Sequence, residues 1–265
     1  RKDKPVMTVL CRADQFVEGP GAIPEKTIKL MARAGVANVC LGLESISSRS
    51  LIQMRKRSDL QKYYVAVENL RKNGLNIPST FVAGFDGDSY EDVVNIAEFG
   101  ERIGLYNIQV YARSIAPGTV DDMLSEGRNI PGGHNKYRNG HAVNILPARM
   151  LPSELQRAVF EAPFRFHRGS GIKDRLALRA FQMIWNGLEP HYAGLQTLER
   201  EVLVPEGIYR YADAGYVLND KALHALVEDE ERYEAFARKA AAIFRNADRL
   251  APDHLGRAME TTAIA

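Results

Sequence analysis

Two cysteines in 265 residues cannot build a disulfide framework, and Cys11 and Cys40 lack the short spacing of a metal-binding pair. Both sit in apolar, strand-like runs that suit reduced, buried thiols. Long hydrophobic stretches are missing too: none approaches the roughly 18 residues of a membrane-crossing helix, and Arg1-Lys2-Asp3-Lys4-Pro5 is not followed by a signal-peptide core. Nor does one sign of charge dominate. Thirty-five Lys and Arg against 33 Asp and Glu leave a formal +2, so neither nucleic acid nor an anionic membrane is an expected partner. The histidines at 134, 141, 167, 191, 224 and 254 form no H-x-x-x-H or H-x-x-H pair, so no metal site is expected on them. What remains is a protein expected in the cytoplasm, with a small-molecule partner. Its 45% hydrophobic content suffices for one large core with or without an appendage.

The first half carries a repeated pattern. An amphipathic helix stops at a glycine, a short apolar run follows, and that run finishes in polar residues. The stops are Ala34-Gly35, Asn73-Gly74 and Ile103-Gly104. The runs are Val6 to Cys11, Val36 to Leu43, Ile77 to Phe85 and Asn107 to Ala112, without clear alternation, as strands buried on both faces require. Pro24 suits a first helical turn, while Ser58 with Gln61, Ser89 with Asp92 and Ser153 with Gln156 have the spacing of capping boxes. Alternation at roughly 30 to 40 residues per unit predicts a parallel sheet, either a barrel or a doubly wound fold. The segment from Pro117 to Pro147 is polar and poorly periodic and reads as a loop covering one face. Beyond it, amphipathic helices are expected through Ala177 to Trp185, Lys221 to Val227 and Tyr233 to Arg249.

In parallel βα folds the active face lies at the C-terminal strand ends. Those ends carry Arg12 and Asp14, Glu44 and Ser45, Asp86 and Asp88, and Arg113. Glu44 follows an apolar run and would face the barrel mouth or hydrogen-bond a neighbouring loop. The turn Gly84-Phe85-Asp86-Gly87-Asp88-Ser89 leads into a helix N-terminus, which favours an anion. It has neither a dinucleotide fingerprint nor a Walker lysine.

Taken in order, Gly42-Leu43-Glu44-Ser45, then Leu51 with Met54-Arg55-Lys56, Phe81 to Asp88 with Glu91-Asp92, and Ala116-Pro117-Gly118-Thr119 resemble radical S-adenosylmethionine (radical SAM) enzymes. The similarity is to the branch that often has an upstream cobalamin-binding domain, and it covers about residues 5 to 150. It implies the later βα units of a partial barrel over residues 1–115, a covering loop over 116–150 and a helical region over 151–265. It also implies that Glu44 contacts the ribose or amino group of S-adenosylmethionine and that Lys56, twelve residues on, pairs with its carboxylate. Thr80 and Ala112 would line the adenosine part of the pocket, with Arg12 and Ser45 alongside. Ordinary readings stay open: Arg55-Lys56-Arg57 also fits a solvated helix end, Thr80 a strand filler and Ala112 core.

Two departures stand out. The C-x3-C-x2-C loop whose thiolates hold a 4Fe-4S cluster in this family is not in the chain, and Asp86 replaces the usual proline of a GFPGD turn, which is expected to loosen it. The resemblance therefore implies the C-terminal portion of a radical SAM enzyme. The cluster ligands and the first barrel units would belong to residues before Arg1, and cobalamin would come through an upstream domain. Such a piece is expected to be inert alone and to associate through exposed barrel edges. The rival readings are a non-catalytic degenerate barrel serving as a binding module, and a (β/α)8 lyase using Glu44 as base.

Overall fold

A computed structural model describes residues 5–56, 59–115, 118, 127–131, 139–168, 172–213 and 215–250. Four strands, β1 (Met7–Arg12), β2 (Val36–Glu44), β3 (Pro78–Ala83) and β4 (Asn107–Ala112), form one sheet in the order β1-β2-β3-β4, every neighbour parallel. A doubly wound sheet reverses its strand order at a switch point. This one advances in a single direction, as a barrel does, so the fold is a partial parallel βα barrel followed by a mostly helical region.

The helices between the strands are α1 (Glu25–Ala34), α2 (Ser48–Gln53), α3 (Leu60–Lys72), α4 (Tyr90–Val94) and α5 (Ile96–Ile103). Gly35 and Gly104 end α1 and α5 in the left-handed region, at φ 111° and 78°. On α3 the buried Tyr63, Ala66, Val67 and Leu70 recur at helical spacing and face the sheet. The sheet answers with Val39, Leu41, Leu43, Phe81, Ile108 and Val110, all at most 2% exposed. The opposite, concave face is half open. Leu10 is 83% exposed there, and Thr8, Asn38 and Asn76 form a hydrogen-bonded row across it at 3.1 and 3.2 Å.

Ser89 and Asp92 do form a capping box at α4. At α3 the cap is Asp59, whose carboxylate accepts from the Lys62 amide at 2.9 Å; Ser58 lies outside the described residues. Pro24 is the N-cap of α1 itself. The expected Ser153–Gln156 box does not form, because α6 (Pro152–His167) starts at Leu151, whose amide donates to Glu154 at 2.7 Å. Both side chains are spent on tertiary partners instead: Ser153 donates to Glu199, and Gln156 pins the segment before the helix through the Val143 amide and the His141 carbonyl.

The covering segment is less polar in place than in sequence. Val143, Ile145 and Leu146 are fully buried, and Asn129 and Ile145 make an antiparallel bridge. After α6 come α7 (Ile172–Leu198), a π-helical turn (Glu199–Leu203), α8 (Asp220–Glu228) and α9 (Glu230–Leu250). Between the turn and α8 stands a β-hairpin, β5 (Tyr209–Ala212) with β6 (Gly215–Leu218), where only helices are expected from the pattern. Trp185 is half-buried against Phe160 at a groove between α6 and α7. No helix among the described residues is long and apolar enough to cross a membrane.

Candidate functional site

At the C-terminal ends of β1 and β2 a cleft of about 490 Å³ opens. Arg12, Ala13 and Asp14 form one wall, Gly42 and Tyr63 the floor, and Met54, Arg55 and Lys56 the opposite lip. Its volume lies within the range of small-molecule sites, roughly 300–1,000 Å³. Glu44 stands beside it, paired with the lining residue Lys56, Nζ to Oε1 at 3.0 Å.

The local backbone explains why the carboxylate points there. Strand register slips between Gly42 and Glu44, so β2 bulges as it ends, and Glu44 takes a positive φ of 69°. A non-glycine residue in that region costs roughly 1–2 kcal/mol. The buried Tyr63 hydroxyl holds the bulge by donating to the Leu43 carbonyl. Gly42 matters for another reason: a Cβ there would stand 2.8 Å from Glu44 Oε1, so the carboxylate would have to shift. The lip is equally specific, with Arg55 at φ 53° and the Lys56 amide folded back onto the Leu51 carbonyl at 3.0 Å.

Electrostatically the cleft is mixed. Arg12 donates through Nε to Asp14 at 3.0 Å, and this hydrogen bond holds the Asp14 carboxyl below the usual range, so the wall presents a fixed ion pair. Lys56 and Glu44 remain 39% and 22% exposed and can exchange their mutual contact for a ligand's at little cost, since such pairs are worth about 0–1 kcal/mol.

Of the residues expected from the sequence, Arg12, Glu44 and Lys56 come together here, and Thr80 stands beside Gly42 on the next strand. Ser45 is buried behind the strand end, its hydroxyl accepting from the Ser47 amide at 3.0 Å. Ala112 faces the helices, 3% exposed within the apolar core, away from the cleft. Asp14, Met54, Arg55 and Tyr63 complete the cleft without having been singled out for that ligand. Asp14 was legible as a strand-end residue. The others follow from the bulge and the lip, which no spacing announces.

The turn after β3 is firm rather than loosened. Asp88, 2% exposed, accepts from the Gly84 and Phe85 amides at 2.9 and 3.0 Å and from the Ser50 hydroxyl. Burial pushes its carboxyl above the ordinary value, against those hydrogen bonds. Asp86 is held by Gln53 and by Arg128, with Arg113 Nη1 at 3.8 Å.

A 4Fe-4S cluster does not fit these residues. Cys11 pairs in register with Leu41 and Cys40 with Leu10, which puts the two thiols on opposite faces of adjacent strands. They are thus close neighbours, not distant as their numbering suggests, but they cannot converge on one iron site. Burial raises both thiols, the reverse of what a thiolate ligand needs. Among the described residues no group of three or more His, Cys, Asp or Glu is placed to hold a metal.

A one-directional parallel βα sheet with a polar cleft at its strand ends defines the class, a barrel-type small-molecule site. Residues 15–100 match the model of the Radical SAM superfamily. It is 30% identical over 95 residues to an uncharacterized methyltransferase of Pyrococcus horikoshii, covering 36% of this chain and 21% of that one. It is 26% identical over 163 residues to the bacteriochlorophyllide d C-12(1)-methyltransferase of Chlorobaculum tepidum, covering 59% and 34%. A solved structure of the radical S-adenosylmethionine methyltransferase TsrM from Kitasatospora setae aligns at a TM-score of 0.38 and 18% identity, over 57% of this chain and 30% of that one. These matches span between a fifth and a third of the curated relatives' length.

Proposed function

We propose that this chain forms the S-adenosylmethionine-binding part of a radical SAM enzyme whose whole-protein reaction is methyl transfer to a small molecule. The observation that carries the reading is the Glu44–Lys56 pair at the edge of the strand-end cleft. S-adenosylmethionine is a zwitterionic amino acid joined to a nucleoside, and the pair offers one partner of opposite sign to each charge of the amino-acid part. Lys56 takes the carboxylate, and Glu44 takes the amino group or a ribose hydroxyl. Thr80 stands on the neighbouring strand toward the nucleoside. Bound S-adenosylmethionine supplies a sulfonium whose methyl or adenosyl group is the one transferred or released. The relatives' printed methyltransferase activities support the reaction class. The cluster and any cobalamin belong, in this reading, to the parent enzyme, so no redox step is assigned to these side chains.

Titration calorimetry on the 265-residue chain tests the proposal. Saturable binding of S-adenosylmethionine without its cleavage is expected. Glu44→Gln and Lys56→Met are each expected to weaken it about ten-fold, the loss of one charge-assisted contact. No binding, or binding indifferent to both substitutions, overturns the assignment.

A further inference from the structure

The turn Gly84 to Asp88 sits between two parts of the molecule that do not otherwise explain each other. On one side lies α2, which continues directly into the Met54–Lys56 lip. Gly87 packs so closely on α2 that a Cβ would stand 2.6 Å from the Arg49 Cβ and 3.0 Å from the Ser50 amide nitrogen. Asp88 grips the same helix through Ser50. Asp86 grips its end reciprocally: its amide donates to Gln53 Oε1, and Gln53 Nε2 donates to Asp86 Oδ2, both at 2.9 Å. The Met54 amide donates to Ser50 and the Arg55 amide to Ile52, both at 2.9 Å, so the lip extends α2 and moves with it.

On the other side lies the segment that follows β4. Arg128 donates through Nη1 to Asp86 Oδ1 and through Nε to the Leu146 carbonyl at 2.9 Å. The Leu146 amide donates back to the Arg128 carbonyl at 2.8 Å, locking the two strands of the segment to each other. Arg149 Nη1 adds a bond to the Gly87 carbonyl at 3.2 Å. Arg128 is 8% exposed, so its charge has left water and depends on the Asp86 carboxylate. Asp86 is the one side chain of the turn that holds both sides at once.

We infer that Asp86 is a positioning residue that couples the segment around Arg128 to the Met54–Lys56 lip, so that seating of that segment sets the affinity of the cleft for its ligand. A proline at 86 would leave Arg128 without its carboxylate and Gln53 without its amide donor, so the link depends on the aspartate. The ligand half of the inference rests on the S-adenosylmethionine reading of the cleft; the mechanical half does not.

The test uses Arg128→Gln, which touches no cleft residue, Asp86→Asn, the double variant and the conservative Arg128→Lys. Hydrogen exchange of the ligand-free chain is read at amides 54–56 and at 128–130 with 144–146, and S-adenosylmethionine affinity by calorimetry. Arg128→Gln and Asp86→Asn are each expected to speed exchange at 54–56 and weaken binding about five-fold or more. The double variant should be no weaker than the weaker single, and Arg128→Lys should recover part of the loss. If Arg128→Gln does not fold, Asp86→Asn, which retains partners for Gln53, carries the comparison. Faster exchange confined to 128–146 with the lip and the affinity unchanged, or losses that simply add, would overturn the coupling. Should the parent chain bind no S-adenosylmethionine, the ligand reading fails alone, and exchange at the lip still decides the coupling.

Discussion

Glu199 is a carboxyl with almost no water, whose side-chain hydrogen bonds among the described residues come from Ser153. It is 6% exposed in the π-helical turn, and both its oxygens accept from Ser153, from the amide at 2.6 Å and from the hydroxyl at 2.7 Å. Burial is the main cause that lifts its pKa from 4.5 to about 7, opposed by the two Ser153 hydrogen bonds and assisted by the nearby Glu154 charge. The folded group therefore holds a proton that the unfolded chain releases between about pH 4.5 and 7. Because the folded state binds more protons there, its stability falls as pH rises through that window and levels off above it. At 1.36 kcal/mol per pH unit the full effect is about 3 kcal/mol. The N-terminal dipole of α6, beside which the carboxyl sits, favours the anion by up to about 2 kcal/mol and reduces it. Glu199→Gln removes the ionisation while keeping an acceptor for the Ser153 amide and placing a donor at its hydroxyl. Urea unfolding followed by circular dichroism at pH 5 and pH 8 should show the variant gaining about 1–3 kcal/mol on the parent between the two. A stability difference that is the same at both values, or a variant that loses ground at pH 8, would refute the burial argument.

Two further outcomes follow from the site. Gly42→Ala places a methyl 2.8 Å from the Glu44 carboxylate and must displace it, so S-adenosylmethionine affinity in calorimetry should fall further than thermal stability does. Ser50→Ala takes one donor from the buried Asp88 and loosens the hold on α2. Denaturant unfolding should register a loss of about 1–3 kcal/mol, whereas a neutral result would mean that solvent reaches Asp88.

The strands and helices of the first half were legible because their causes are local. Glycine stops, β-branched runs and the Ser89–Asp92 cap act within a few residues, and all appear where expected. The α6 start was misread because Ser153 and Gln156 have capping spacing yet serve Glu199, 46 residues away, and the Val143 amide. Spacing cannot rank a local partner against a distant one when the distant one is buried and the bond correspondingly costly to leave unmade. The β5–β6 hairpin escaped notice for a related reason: its strands are four residues each, too short to set a period. Asp86 was read as a weakened turn because a proline's rigidity is a local property, while the Arg128 contact that replaces it spans 42 residues.

Sequence alone determined the βα rhythm and the polar strand ends, since each follows from short-range chain chemistry; Glu44 and Lys56 were reached through the family resemblance as separate ligand contacts, and their pairing with each other is a tertiary outcome. Only tertiary structure decided that the sheet advances without reversal, that Cys11 and Cys40 face apart, and that Ala112 looks into the core. It alone brought the Glu44 carboxylate to Lys56 beside the cleft, where β2 ends in a bulge held by Tyr63. Those outcomes depend on which distant groups share a buried space, where one unsatisfied polar atom or one surplus methyl outweighs local preference.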